Sequence, residues 1–81
     1  MYQTINETIA VVGTYKDGMF VPRKFKWRER IMPVDTITLV NDTRDGVRKK
    51  RLYSLVSKGT VFRLEFDRDN EHWLLLELWV E

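Results

Sequence analysis

The feature of this sequence that most constrains its fold is the alternation of apolar and polar residues over short runs. Turn-forming residues interrupt those runs about every eight to twelve positions, and no segment keeps its apolar residues at helical spacing. A period of two places successive side chains on opposite faces of a strand, so each run predicts a strand with one buried face. The chain is therefore expected to be all-β.

Six strands can be drawn, and every link between them is short. Short links join antiparallel neighbours, so the sequence predicts a six-stranded antiparallel meander. A meander covers its apolar face by curling, and we expect a small SH3-like or partly open barrel. The predicted strands are residues 8–16, 19–28, 31–41, 47–57, 60–67 and 72–80.

The length and composition of the chain set its organisation. A chain of 81 residues builds one core with a thin stability margin, so residues 1–81 are expected to form a single domain, with 1–7 as a flexible N-terminal arm. Cysteine is absent, which excludes disulfides and thiolate metal sites. The N-terminus shows neither a basic leader nor a long apolar run. We therefore expect a cytoplasmic protein that does not associate with membranes.

The segment RKFKWRER, residues 23–30, combines cations with aromatic rings. It could line a groove for a nucleic-acid strand, or it could be an ordinary strand with a charged wet face and an aromatic dry face. Period-two alternation sends Phe25 and Trp27 to one face and Lys24, Lys26 and Arg28 to the other. Core aromatics under a basic face are therefore expected, and only the basic face remains available to follow phosphates.

The register of the first hairpin depends on its turn at residues 17–18. A simple two-residue turn would place the apolar Val11 opposite the charged Lys24, which would mix buried and solvent-facing side chains on one face. One extra residue, with Gly18 in the left-handed conformation, places Val11 opposite Phe25 and Tyr15 opposite Val21. We predict this bulged turn.

The second hairpin register follows from a two-residue loop at residues 58–59. That loop sets Leu55 against Phe62 and Tyr53 against Leu64, which gives a second dry face. It also sets the basic cluster VRKKR against the acidic end of the next strand, so that part of the cluster is expected in cross-strand ion pairs.

The last strand, HWLLLELWVE, is apolar on both faces. Such a strand is usually covered on both sides, either by the rest of the sheet or by a partner. Strict alternation sends Leu74, Leu76 and Leu78 into the core. The residues that then face outward, and that we predict as a protein interface, are Trp73, Leu75 and Trp79.

The charge distribution favours a binding module. The net charge is +2, but residues 1–58 carry 12 Lys and Arg against 6 Asp and Glu. We expect a non-enzymatic module that holds DNA or RNA through sequence-independent phosphate contacts. The alternative is a protein-interaction or homodimerisation module that uses the last strand. The predicted phosphate-binding residues are Lys24, Lys26, Arg28, Arg30, Lys49 and Arg51.

Catalytic and metal-binding patterns are missing from the sequence. His72 is the single histidine, and the chain has no nucleophile-elbow pattern and no glycine-rich phosphate loop. The acidic residues are explained as turn formers and salt-bridge partners. No enzymatic activity, cofactor or metal is expected.

Four stretches together resemble a known family: FVPRKFKWRERIMPVDTI, RKKRLYS, KGTVFRLEFD and HWLLLELW. They are similar to a small bacterial all-β domain of unknown function that occurs alone or appended to Y-family DNA polymerase-like proteins. The resemblance covers about residues 20–80 and implies a compact β-fold and the company of DNA-repair proteins. It supplies no activity or site residues. The chain has only NDTRDG where that family carries longer basic insertions.

Overall fold

Residues 1–80 contain seven antiparallel strands. The computed structural model describes residues 1–80, and it confirms the all-β antiparallel prediction, with one more strand than expected. The predicted third strand is interrupted at residues 34–35, directly after Pro33, whose ring removes a backbone donor. The strands are β1 (Tyr2–Lys16), β2 (Met19–Trp27), β3 (Arg30–Pro33), β4 (Thr36–Asp45), β5 (Arg48–Ser57), β6 (Thr60–Asp67) and β7 (His72–Val80).

The strands form one sheet that curls into a half-barrel. Their order is β3-β2-β1-β7-β6-β5-β4, so two meanders are joined where the first strand pairs with the last. The edge strands β3 and β4 meet at a corner, where the Val34 amide donates to the Arg23 carbonyl and the Asp35 amide to the Val56 carbonyl. No helix among residues 1–80 is long and apolar enough to cross a membrane.

The concave face of the half-barrel holds the core. Phe25 and Phe62 meet edge to face with ring centroids 5.2 Å apart, a favourable aromatic geometry. The hydroxyl of Tyr53 on β5 donates to the carbonyl of Phe20 on β2 at 2.8 Å, across the concavity. The core residues are Ile9, Phe25, Met32, Tyr53, Leu55, Phe62, Leu64, Leu75 and Leu78.

The first hairpin has the predicted inner register but a different turn. Val11 lies opposite Phe25 as expected, whereas Tyr15 lies opposite Phe20 rather than Val21. The turn has two residues, both with positive φ, and the extra residue lies further along β2, where the pairing shifts at Arg23. The prediction of one extra residue in this hairpin was thus correct, but its placement in the turn was wrong, because the extra residue is Arg23.

The hairpin between β5 and β6 has the predicted register. Leu55 lies opposite Phe62 and Tyr53 opposite Leu64. A two-residue turn at Lys58 and Gly59, both with positive φ, fixes this pairing.

A second irregularity decides which side chains of β7 face the core. The pairing of β6 with β7 shifts so that Leu64 lies opposite Leu75 and Phe62 opposite Leu78, which leaves Leu76 as an extra residue. Such a bulge reverses the phase of the side chains on either side of it. The strict alternation predicted for this strand is therefore wrong before the bulge.

Residues 2–7 belong to the sheet. They were predicted as a flexible arm, but they extend β1 and pair with β7, with Tyr2 opposite Trp79 and Glu7 opposite Leu75. Asn6, with φ 54°, lies where this pairing shifts. The N-terminal segment thus forms part of the connection between the two meanders.

Candidate functional site

Four exposed cations lie on the convex side of β1 and β2. Lys24 and Lys26 alternate with the buried Phe25 and therefore point away from the core. Arg23 lies beside Lys24 and donates from Nε to the hydroxyl of Thr14 on β1 at 3.3 Å. We call the set of Lys16, Arg23, Lys24 and Lys26 the basic face.

The bulge at Arg23 builds the basic face. In a regular strand Arg23 and Lys24 would point to opposite sides, but the extra residue lets both be exposed while Pro22 and Phe25 are both buried. Pro22 has no amide to leave unpaired at this irregular position. Across from it, a Cβ on Gly13 would lie 2.1 Å from the Val21 carbonyl oxygen, so the close approach of the two strands requires glycine.

An apolar groove lies beside the two lysines. Its volume is about 290 Å³, and its walls include Ala10, Val12 and Ile31 together with Lys24 and Lys26. Phe25 forms its floor and is itself almost completely buried. The groove can therefore accept an apolar group between two ammonium groups.

Little negative charge offsets the basic face. Glu29 lies 3.5 Å from the Lys26 ammonium group, but its own side chain is 91% exposed. Exposed pairs of this kind contribute about 0–1 kcal/mol, so the pair is easily exchanged for another anion.

Arg28 is bound to a carboxylate instead of extending the basic face. Its Nη2 lies 2.6 Å from Oε2 of Glu7, and its guanidinium stacks over the ring of Trp27. The Trp27 indole also donates to Glu7 at 2.9 Å. The hydrogen bonds from Arg28 and then Trp27 lower the pKa of Glu7 below its ordinary value, and the bond to Glu7 raises the pKa of Arg28. Arg28 therefore stabilises the end of the first hairpin.

Arg51 is bound in the same way at the far side of the sheet. Its Nε lies 2.6 Å from Oδ1 of Asp42, and the side chain of Arg68 approaches the same carboxylate at 3.8 Å. The hydrogen bond from Arg51 lowers the pKa of Asp42. This carboxylate lies in an open basin of about 310 Å³ that is also lined by Arg44 and Lys49. The basin is basic, but its cations surround a carboxylate.

The six predicted phosphate-binding residues do not form one patch. Lys49 and Arg51 share a side of β5 with Tyr53 and so lie on the concave side, whereas Lys24 and Lys26 lie on the convex side. Three strands separate β2 from β5, about 19 Å along the sheet. Arg30 is exposed and lies opposite Trp27, on the concave side of β3. Among the predicted residues, the structure brings together Lys24 and Lys26.

Cross-strand ion pairs use much of the remaining positive charge, as expected for the VRKKR cluster. Arg48 lies 3.6 Å from Asp67, and Lys50 lies 3.3 Å from Glu65. Backbone amides, first that of Asn70, donate to Asp67 and lower its pKa. The acidic end of the chain thus neutralises part of β5.

The three residues predicted as a protein interface have different environments. Leu75 is fully buried, and Trp73 is half-buried with its ring 4.7 Å from that of Phe66. Because of the bulge at Leu76, both lie on the core side, and the prediction that they face outward is wrong. Trp79, beyond the bulge, is 55% exposed and faces outward as predicted.

Sequence reasoning missed Lys16 and Arg23 as members of the basic face. Strict alternation sets Arg23 on the side opposite Lys24, and the bulge that unites them leaves only an indirect signal in the sequence. That signal is Pro22, which suits a bulge, together with a glycine on the neighbouring strand at Gly13.

No protein family matches the chain, and neither a curated protein nor a solved structure does. Among the side chains that the structure describes, no group of three or more His, Asp or Glu residues is placed to hold a metal ion.

Proposed function

We propose that the protein is a binding module that holds the phosphate backbone of DNA or RNA on its basic face. The observation that supports this proposal is the exposure of Arg23, Lys24 and Lys26 on one side of β2, with Lys16 beside them on β1. Clustered cations on one surface attract polyanions, and each phosphate contact gains free energy by releasing counterions.

The dimensions of the basic face suit a short segment of backbone. Lys16 lies opposite Met19 and Lys26 opposite Ala10, so the face extends about 20 Å along β1 at 3.3 Å per residue. A nucleic-acid strand advances about 3.4 Å per nucleotide, and this length matches about six nucleotides. The basin around Asp42 is less suitable, because its carboxylate would repel phosphate.

The proposed contacts are independent of base sequence. The exposed side chains beside the lysines are aliphatic, chiefly Val12 and Ile31, and the aromatic ring of Phe25 is buried beneath them. Base stacking on an aromatic platform is therefore not expected here. Sugar carbons and the edges of bases would pack in the apolar groove while phosphates meet the lysines.

The company of DNA-repair proteins, which the sequence resemblance implies, agrees with this ligand class and remains a proposal. Direct binding of the chain to DNA tests the proposal without relying on the resemblance.

Fluorescence anisotropy with a labelled oligonucleotide of about eight nucleotides tests the proposal. Four contacts predict a slope of log K against log salt of about −3, so binding should weaken about 60-fold between 50 and 200 mM salt. The double variant K24E/K26E should abolish binding at low salt. Absence of wild-type binding at low salt would refute the function.

The matched control is K49E/K58E, which makes the same change of charge at two exposed lysines away from the basic face. It should lower the affinity much less than K24E/K26E, through the net charge alone. An equal loss in both variants would refute the basic face as the site, and it would point to the basin that Lys49 lines.

A further inference from the structure

A row of apolar side chains crosses the convex side of the sheet at the end away from the basic face. Trp79 is 55% exposed and Tyr2, directly opposite it on β1, is 60% exposed. On its other side Trp79 lies opposite Val61, which in turn lies opposite Val56 on β5. The four residues cross four strands, about 14 Å at the usual strand spacing.

The row next to it is polar and electrically balanced. The guanidinium of Arg63 lies 3.6 Å from the carboxylate of Glu77, and the Tyr2 hydroxyl donates to the same carboxylate at 2.7 Å. A depression of about 80 Å³ lies between this pair and the apolar row, with Ser54 and Trp79 among the residues that line it. We call the two rows together the aromatic patch.

Two exposed aromatic rings side by side are unusual on a surface with no partner. Isolated exposed apolar residues need no explanation, but a contiguous group that contains Trp and Tyr is typical of the buried centre of an interface. The bulge at Leu76 lets Trp73 pack against the core while Trp79 faces outward. A regular strand would turn both rings to the same side.

We propose that the aromatic patch binds a second copy of this chain in a twofold symmetric dimer. A twofold interface joins a surface to itself, so the surface must be self-complementary. The aromatic patch meets this condition, since it carries one cation, Arg63, and one anion, Glu77. In the dimer each guanidinium would face the carboxylate of the other copy, while the apolar rows pack against each other.

The charge balance also argues against other occupants. A nucleic acid would meet Glu77, and a strongly acidic or basic protein would leave one member of the pair opposite a like charge. The basic face, on β1 and β2, stays accessible.

Analytical ultracentrifugation of the full chain tests the dimer. Interfaces of standard size have dissociation constants of about 1 µM or tighter, so at about 100 µM the measured mass should be close to twice the monomer mass of 9.8 kDa. W79E should raise the dissociation constant at least about 30-fold, as expected for a central aromatic residue. A wild-type mass of one chain at this concentration would overturn the proposal.

The matched control is I31E, since Ile31 is 54% exposed and lies on the other meander. It introduces the same charge on the convex side and should leave the dimer intact. Equal dissociation by I31E and W79E would overturn the aromatic patch as the interface.

A charge-complementation experiment avoids any doubt about the folding of W79E. R63E gives a patch with two anions and E77R a patch with two cations, so each variant alone should be monomeric. Mixed in equal amounts, they should form a heterodimer, because opposite patches attract while like patches repel. A mixture that stays monomeric, or single variants that dimerise as well as wild type, would overturn the twofold arrangement.

Discussion

Replacing Leu75 by Ala tests the phase of the first half of β7, which decides which leucine side chains enter the core. Leu75 is fully buried, whereas Leu74 and Leu76 are half-buried. Deleting a buried leucine side chain costs about 2–5 kcal/mol, because transfer free energy is lost and a cavity remains. We expect L75A to lose about 3 kcal/mol, and L74A and L76A about 1 kcal/mol or less each.

The loss is large compared with the stability of the whole domain. A chain of 81 residues has an expected free energy of unfolding of about 4–12 kcal/mol. With a urea m-value of about 1 kcal/mol/M for a protein of this size, L75A should lower the unfolding midpoint by about 3 M. The two control variants should each shift it by about 1 M or less.

Urea unfolding followed by tryptophan fluorescence and by far-ultraviolet circular dichroism measures these shifts. The ranking of the three variants decides between the two phases of the strand. If L74A or L76A costs as much as L75A, the bulge is misplaced and strict alternation through β7 is correct. In that case Trp73 and Leu75 would face outward together with Trp79.

Three further predictions concern stability. G13A should destabilise the protein by about 1–3 kcal/mol in urea unfolding, because its Cβ would collide with the Val21 carbonyl oxygen; a midpoint equal to that of wild type would refute the close approach. The pKa of Glu7 is lowered in the folded state, chiefly by Arg28. The ionised Glu7 side chain therefore stabilises the fold at pH values above its pKa in the unfolded chain, and this stabilisation is lost as the pH falls through its pKa in the folded protein. The difference in midpoint between wild type and E7Q should therefore shrink from pH 7 to below pH 4, and a constant difference would contradict it. S57A should raise stability by about 1 kcal/mol, since the buried Ser57 hydroxyl has no hydrogen-bond partner among residues 1–80; a lower midpoint would show that the hydroxyl is satisfied.

The fold was predicted correctly where charged residues alternate with apolar ones and so show which side of a strand faces the core. Lys24 and Lys26 on either side of Phe25 leave one arrangement that buries the ring and exposes the charges, and the structure has it. The hairpin at Lys58 and Gly59 was likewise determined by a turn with a strong local preference.

The same reasoning failed where the local sequence carries no such mark. Leu74, Leu75 and Leu76 are chemically identical, so nothing along the chain says which of them is the extra residue. The choice is made by tertiary packing, since Leu75 meets Leu64 across the ladder. The pairing of β1 with β7 cannot be predicted from the local sequence pattern, because the paired residues lie at opposite ends of the chain. The aromatic patch depends on this pairing and therefore could not be predicted either.

The two proposed surfaces lie on different parts of the sheet, which makes their combination testable. A dimer through the aromatic patch would carry two copies of the basic face, and a DNA long enough to reach both would gain contacts without any new residue. The salt slope on such a DNA should then approach about −6, twice the value for one copy on a short oligonucleotide. W79E should return the slope to about −3 and leave binding to the short oligonucleotide unchanged, whereas K24E/K26E should abolish binding and leave the dimer intact. A slope that does not change with W79E would mean that each copy binds nucleic acid alone, even if both surfaces are correct.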